Sequence, residues 1–126
     1  MAHAPSTKSG SGRNVYSEAC PSRVLLDLLA NKWSALVIGL LRQGPMRFST
    51  LQTNMPGVSP KMLTRTLRRL ESAQLVTRTI YPEVPPRVEY DLTDLGASAA
   101  QPLHLMCTWA EDHVDQIDAL NRNWAS

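Results

Sequence analysis

The chain is poor in aromatic residues and in cysteine, and it lacks any long apolar run. Phe, Trp and Tyr make up 6% of its 126 residues, so its core has to be built mainly from aliphatic side chains. No segment approaches the ~18 consecutive apolar residues of a membrane span. The N-terminal residues show no apolar stretch of the secretory kind. We therefore expect a cytoplasmic protein with no membrane partner.

Recognisable catalytic and cofactor motifs are also missing. There is no Gly-rich phosphate loop, no G-x-S-x-G and no H-E-x-x-H. His104, Cys107 and His113 share one predicted helix, but without a tight Cys/His cluster they do not indicate a metal site. Two cysteines are too few for a disulfide framework. The sequence predicts neither an enzyme nor a bound cofactor or metal.

Charge is mild in total but uneven along the chain. The formal net charge is +2, and seven of the thirteen Lys and Arg residues lie between positions 47 and 89, with only three carboxylates among them. Acidic residues collect near the C-terminus instead, at Asp94, Glu111, Asp112, Asp115 and Asp118. A basic middle and an acidic end indicate one face for a polyanion and another turned away from it.

Apolar spacing predicts three helices in the first half of the chain. Residues 20–32 form the first, with Pro21 at a position where no amide donor is needed. Residues 33–45 are apolar nearly all round, which is typical of a central helix. Residues 47–57 form a short third helix, for which Ser49 is the predicted N-cap.

A fourth helix and a hairpin follow. Ser59 can cap this helix and Pro60 can occupy its first turn. Residues 75–81 are rich in β-branched side chains and predict a strand. The proline-rich segment 82–87 predicts a turn, and residues 88–92 predict the returning strand.

The remaining residues, from about 93 to 124, predict one long helix with Thr93 as its cap. Its apolar positions recur at intervals of four and three residues, the spacing of a helix that packs along another helix. This helix is expected to dimerise. The positions are Ala99, Leu103, Met106, Ala110, His113, Ile117, Leu120 and Trp124.

The order of elements predicts a mainly α fold with a small β-hairpin: a winged helix-turn-helix with a C-terminal dimerisation helix. Residues 1–14 are expected to be a disordered tail, and residues 15–126 the domain. In this fold the fourth helix enters the DNA major groove. A solvated cationic face is the ordinary alternative for one such helix, but the wing favours DNA. The residues expected nearest the bases are Ser59, Lys61, Thr64 and Arg65, and those expected to hold phosphates are Arg47, Ser49, Arg68 and Arg87.

Cys20 lies directly before Pro21, at the start of the first helix. The helix dipole favours the thiolate there, so Cys20 is a candidate redox sensor. Cys107, on the last helix, is more ordinarily a small buried side chain. If one subunit's first helix wraps around its partner's last helix, Cys20 and Cys107 can form an intersubunit disulfide; modification of Cys20 alone is the other hypothesis.

The segment from Cys20 to about Gly96 resembles the HxlR family of bacterial winged-helix regulators, relatives of MarR. The markers are the Cys-Pro opening, "KW", "GPMRF", "VSPKMLTRTLRRLE" and "YPEVPPRVEYDLTDLG". One departure is Ala73-Gln74, where the family often has glycine. The resemblance implies a homodimer that regulates transcription, and a cysteine before this proline that senses hypochlorite, quinones or related stress in several members.

These observations predict a regulator, expected to be a repressor, whose dimer reads an inverted repeat in double-stranded DNA. The signal stays open between an oxidant or electrophile at Cys20 and a small apolar effector in a cavity lined by Trp33, Met106 and Trp109. A winged helix that binds nucleic acid without sequence preference, or that binds protein, is the remaining alternative.

Overall fold

The computed structural model describes residues 14–120, and the side chains of residues 14–117. Residues 1–13 of the predicted tail and Trp124 of the predicted dimerisation helix lie outside this range, as does the side chain of Leu120. The predicted fold class is confirmed. The elements are α1 (Pro21–Leu29), α2 (Lys32–Leu41), β1 (Met46–Arg47), α3 (Phe48–Thr53), α4 (Pro60–Ser72), β2 (Val76–Tyr81), β3 (Arg87–Leu92) and α5 (Asp94–Leu120).

The core is aliphatic, and α2 lies at its centre, as its apolar sequence predicts. Val37 and Ile38 are fully buried, and α2 packs against α1, α4 and α5. α4 contributes Leu63, Leu67 and Leu70. These leucines fix the position of α4 against the core because each buried leucine is in contact with several neighbours.

Asn31 is the N-cap of α2, and its side chain accepts hydrogen bonds from the N–H groups of Trp33 and Ser34. This cap starts a new helix and separates α1 from α2 by a bend of 73°. Among the described helices no single one combines the length and apolar character of a membrane span, and only α1 and α2 taken together across the bend would do so.

The sheet has three antiparallel strands in the order β1-β3-β2. The predicted hairpin is β2 and β3, and the two-residue strand β1 was not predicted. Because Arg47 of β1 is paired with Glu89, α3 begins directly after Arg47, which occupies the N-cap position. The predicted cap at Ser49 is therefore wrong: Ser49 lies inside the first turn of α3.

α4 ends in a Schellman-type turn, in which a residue with positive φ closes the helix. The N–H of Leu75 donates to the carbonyl of Leu70, and the N–H of Gln74 donates to Glu71. Gln74 has φ of 63°, the left-handed conformation in which glycine is preferred. The departure from glycine noted in the sequence thus falls on the residue that closes the recognition helix.

α5 starts against the same turn. Thr93 is confirmed as its cap, since its hydroxyl accepts from the N–H of Gly96 and donates to the carbonyl of Gln74. The N–H of Thr93 donates to the carbonyl of Leu75. A Cβ on Gly96 would overlap that same Leu75 carbonyl, so this position requires glycine because the two backbones approach so closely.

We predict that Gln74→Gly raises the free energy of unfolding by about 1 kcal/mol, because glycine adopts positive φ without the steric penalty of a Cβ. Urea unfolding of the two proteins measures the difference. Ala73→Gly is the matched control: Ala73 has an ordinary φ of −83°, so glycine there should lower stability. Equal effects of the two substitutions would contradict the prediction.

Candidate nucleic-acid interface

The start of α4 is fixed locally. The hydroxyl of Ser59 accepts a hydrogen bond of 3.0 Å from the N–H of Met62, and Pro60 occupies the first turn. Both features were predicted and are confirmed. Because the Ser59 hydroxyl oxygen already accepts this hydrogen bond, the predicted contact of Ser59 with DNA has to form while the cap is kept.

The outer face of α4 is a continuous cationic surface. Thr66 and the α4 leucines face the core, whereas the basic side chains are exposed. No ion pair to any of these basic side chains is found among the side chains of residues 14–117, so no described carboxylate compensates their charge. Together with Pro60 and Thr64, the basic side chains line one shallow groove. The basic side chains are Lys61, Arg65, Arg68 and Arg69.

Arg69 was not among the predicted contacts, although it lines the same groove as Lys61 and Arg65. Its spacing of four residues from Arg65 is the signal that places it on the same helical face. We add it to the candidate surface.

Arg47 and Ser49 are exposed at the start of α3. Arg47 precedes the helix in β1, and Ser49 lies in its first turn, where its carbonyl accepts from the Thr53 hydroxyl at 2.9 Å. Their side chains are available for phosphate contacts, which remain predictions.

Arg87 is placed differently from the α4 cations. Its guanidinium lies 3.0 Å from a carboxylate oxygen of Glu83 and 3.2 Å from one of Glu89. It also lies over the ring of Tyr81, 4.1 Å from the centroid, and Tyr81 is its partner in the β2–β3 register. Arg87 therefore links the two strands next to the turn, at the tip of the β2–β3 hairpin that forms the wing, and two carboxylates already neutralise its charge.

Cys20 occupies the N-cap position of α1 and is buried, with 5% of its surface exposed. Burial raises the pKa of its thiol, but hydrogen bonds from the backbone N–H of Arg23 and from Ser22 outweigh that effect and bring the pKa below its ordinary value. The thiolate is thus favoured, as the position before Pro21 predicts.

Cys107 is exposed on α5 and, like Cys20, is a thiol rather than half of a disulfide in the chain. The ordinary expectation that it is a small buried side chain is wrong for the single chain. His104 and His113 do not join it in a site, since no group of three or more metal-binding side chains occurs within the described part of the chain.

α5 exposes several large apolar side chains from Leu105 onward. Ala100 and Leu103 pack into the core, but farther along the helix large side chains are more than half exposed. Trp109 stacks on His113, with ring centroids 4.5 Å apart, and His113 Nδ1 lies 2.8 Å from the Trp109 carbonyl oxygen. The large exposed side chains are Leu105, Met106, Trp109 and Val114. We call these four residues the α5 apolar surface.

A model of the HxlR-like helix-turn-helix matches residues 28–118. The chain belongs to the HxlR-like helix-turn-helix family. YtfH of Escherichia coli K12, an uncharacterized HTH-type transcriptional regulator, is 38% identical over 107 residues, which are 85% of each protein. The resemblance seen in the sequence is confirmed, and this HxlR-like protein is a helix-turn-helix transcriptional regulator.

Solved structures agree with this assignment. That of ytfH from Salmonella typhimurium is 40% identical and superposes with a TM-score of 0.80, covering 85% of this chain and 96% of the other. The redox regulator HypR is similar in its oxidized form, with 34% identity and a TM-score of 0.69 over 74% of this chain and 96% of HypR. Its reduced form gives 32% identity and 0.73 over 79% and 98%.

We predict that Arg65→Ala weakens DNA binding about 5- to 150-fold, equivalent to about 1–3 kcal/mol, if Arg65 contacts a guanine edge. Fluorescence anisotropy against salt concentration measures affinity and its salt dependence together.

Arg87→Ala is the matched control, because it also removes one arginine. Since Arg87 is neutralised within the wing, its loss should change the slope of log affinity against log salt by less than the ~0.9 expected for a phosphate contact. A full loss of ~0.9 would restore the sequence-based assignment of Arg87 as a phosphate contact.

Proposed function

We propose that this HxlR-like regulator is a homodimeric, sequence-specific DNA-binding repressor, switched by oxidation or electrophile modification of Cys20. The observation that carries the DNA-binding part is the uncompensated cationic face of α4, presented by a capped helix beside a wing. Cationic side chains without internal partners supply the phosphate attraction on which protein–DNA affinity depends. The base contacts are assigned to Ser59, Lys61, Thr64 and Arg65.

The homodimer rests on the α5 apolar surface. Leu105, Met106 and Trp109 are exposed close together on one side of the helix, with Val114 farther along, and a cluster of large exposed apolar side chains is typical of an interaction surface. Glu111, Asp112 and Asp115 lie exposed on the same half of α5, so DNA is an unfavourable occupant. A second copy of α5 offers a matching apolar face, and α1 adds the exposed Val24 and Leu26.

In such a dimer the two α4 helices face the same side of the duplex. Two symmetric heads read an inverted repeat whose half-sites are about one helical turn apart, near 10 bp. Occupying such a site in a promoter excludes polymerase, which is the physical basis for proposing repression.

We predict that Trp109→Glu yields a folded monomer, because Trp109 is 58% exposed in the chain and becomes buried only in the dimer. Affinity for a duplex with both half-sites should fall about 100-fold or more, since the second head no longer binds intramolecularly. Light scattering on a size-exclusion column gives the mass, and anisotropy with duplexes from upstream of the protein's own gene gives the affinity.

Ala97→Glu is the control for this experiment, since it adds the same charge at an exposed position of α5 outside the α5 apolar surface. A wild-type protein that is monomeric at micromolar concentration would refute the dimer. Binding to every duplex with equal affinity would favour the alternative of a nucleic-acid-binding module without sequence preference.

The switch rests on the lowered pKa of the Cys20 thiol and on the likeness to HypR, which is itself a redox regulator. A two-electron oxidant such as hypochlorite would convert the thiolate to a sulfenic acid. Attack by the Cys107 thiol of a second copy would then form the disulfide and release water. Because Cys107 is exposed on α5, a second copy can approach it.

We predict that hypochlorite produces a dimer band on non-reducing gels and weakens DNA binding, and that thiols reverse both effects. Cys20→Ser should abolish both, because the low-pKa thiol is removed. Cys107→Ser should abolish the band and, if Cys20 modification alone suffices, keep the loss of DNA affinity. A wild-type protein that forms no band and binds DNA equally well after oxidation would contradict the switch.

A non-covalent effector is the second candidate, and one observation favours it. A groove of about 620 Å³ lies where the end of α2, β3 and α5 meet, lined by Leu41, Pro45, Ala100, His104 and Leu105, among others. The cavity predicted from Trp33, Met106 and Trp109 is not this groove, since none of these three side chains lines it. A thermal shift with quinones that persists in Cys20→Ser would favour this mode.

A further inference from the structure

A polar groove of about 400 Å³ separates α4 from the sheet, on the side of the helix next to the wing. It is lined by Thr64, Arg68 and Glu71 of α4 and by Arg78 and Tyr90 of the strands, among others. Arg78 and Tyr90 are partners in the β2–β3 register, so their side chains emerge on the same face of the sheet. Two guanidinium groups, a hydroxyl and a phenol thus converge in one concave site.

The groove contains one carboxylate, and that carboxylate holds one of the two guanidinium groups. Nε of Arg78 lies 3.5 Å from an oxygen of Glu71. The two side chains are 51% and 27% exposed. An ion pair at this distance and exposure is weak, so Arg78 can leave Glu71 for a stronger anionic partner.

Tyr90 supports an anion at this place. Burial raises the pKa of its phenol, the Glu71 carboxylate raises it further, and Arg78 and Arg68 act in the opposite direction. The phenol therefore keeps its proton at neutral pH and is a hydrogen-bond donor. Donors and cations are what a phosphate oxygen requires.

We propose, on the basis of the DNA-binding function above, that this groove receives one phosphate of the DNA backbone and that Glu71 restrains the affinity. In the DNA-free protein Glu71 holds Arg78. On binding, Arg78 exchanges the carboxylate for the phosphate, while Glu71 remains close to the phosphate and repels it. Glu71 thus keeps binding to arbitrary DNA weak, because repulsion from a phosphate does not depend on sequence.

The test is the isosteric substitution Glu71→Gln, measured by anisotropy over a salt series with an operator duplex and a random duplex. We expect affinity for both duplexes to rise about threefold to tenfold and the salt slope to steepen by up to ~0.9, because removing the Glu71 carboxylate raises the net charge of the groove by one. Glu111→Gln is the matched control, since it changes the net charge equally at an exposed position of α5, and it should leave the slope unchanged.

Two further variants separate the groove from a general charge effect. Arg78→Ala should weaken binding more in the Glu71→Gln background than in the wild type, because only there is Arg78 fully available in the free protein. Tyr90→Phe should weaken binding about threefold to fivefold without changing the slope, since it removes a donor but no charge.

An unchanged or weaker affinity of Glu71→Gln, with wild-type protein binding its operator, would overturn the restraining role and leave the proposed function intact. If neither protein binds any duplex, the proposed function itself fails.

Discussion

The backbone around Leu75 is the constraint on which the architecture depends. Its N–H closes α4, its carbonyl receives the N–H of Thr93, and the same carbonyl lies so close to Gly96 that no Cβ fits there. The end of the recognition helix, the start of the wing and the start of α5 are therefore joined through one peptide. Backbone hydrogen bonds and steric exclusion at this junction fix the end of α4 relative to the start of α5.

Charge is distributed in the molecule according to structural role. The cations on the outer face of α4 form no ion pairs with the described side chains of residues 14–117, whereas Arg87 is neutralised by Glu83 and Glu89 at the tip of the wing. The first group is available for phosphates and bases, and Arg87 stabilises the shape of the hairpin. Arg78 is intermediate, since its single weak pair to Glu71 can be exchanged. In the function we propose, the cations of α4 provide most of the affinity for DNA, and the ion pairs of Arg87 fix the shape of the wing.

Apolar surface is divided along α5 in a similar way. Ala100 and Leu103 pack into the core of their own chain, whereas Met106 and Trp109, farther along the helix, are exposed. Close approach to Leu75 requires glycine at position 96, and in the function we propose a second copy covers the exposed side chains. In the proposed dimer Cys20 and Cys107 would lie on the elements that meet the second copy, so their oxidation would act where the two heads are joined.

Local physics could be read from the sequence alone. The start of α4 at Ser59-Pro60, the cap at Thr93, the proline-rich hairpin turn, the central α2 and the lowered pKa of Cys20 each depend on neighbours within a few residues. The two-residue strand β1, the resulting displacement of the α3 cap from Ser49 to Arg47, the neutralisation of Arg87 and the groove of Glu71, Arg78 and Tyr90 were decided only by tertiary structure. Each of these requires strand pairing or helix–sheet packing between distant segments. The spacing of apolar residues and the capping of helices depend on residues close together in the sequence. Which charged side chains come into contact depends on how the elements pack.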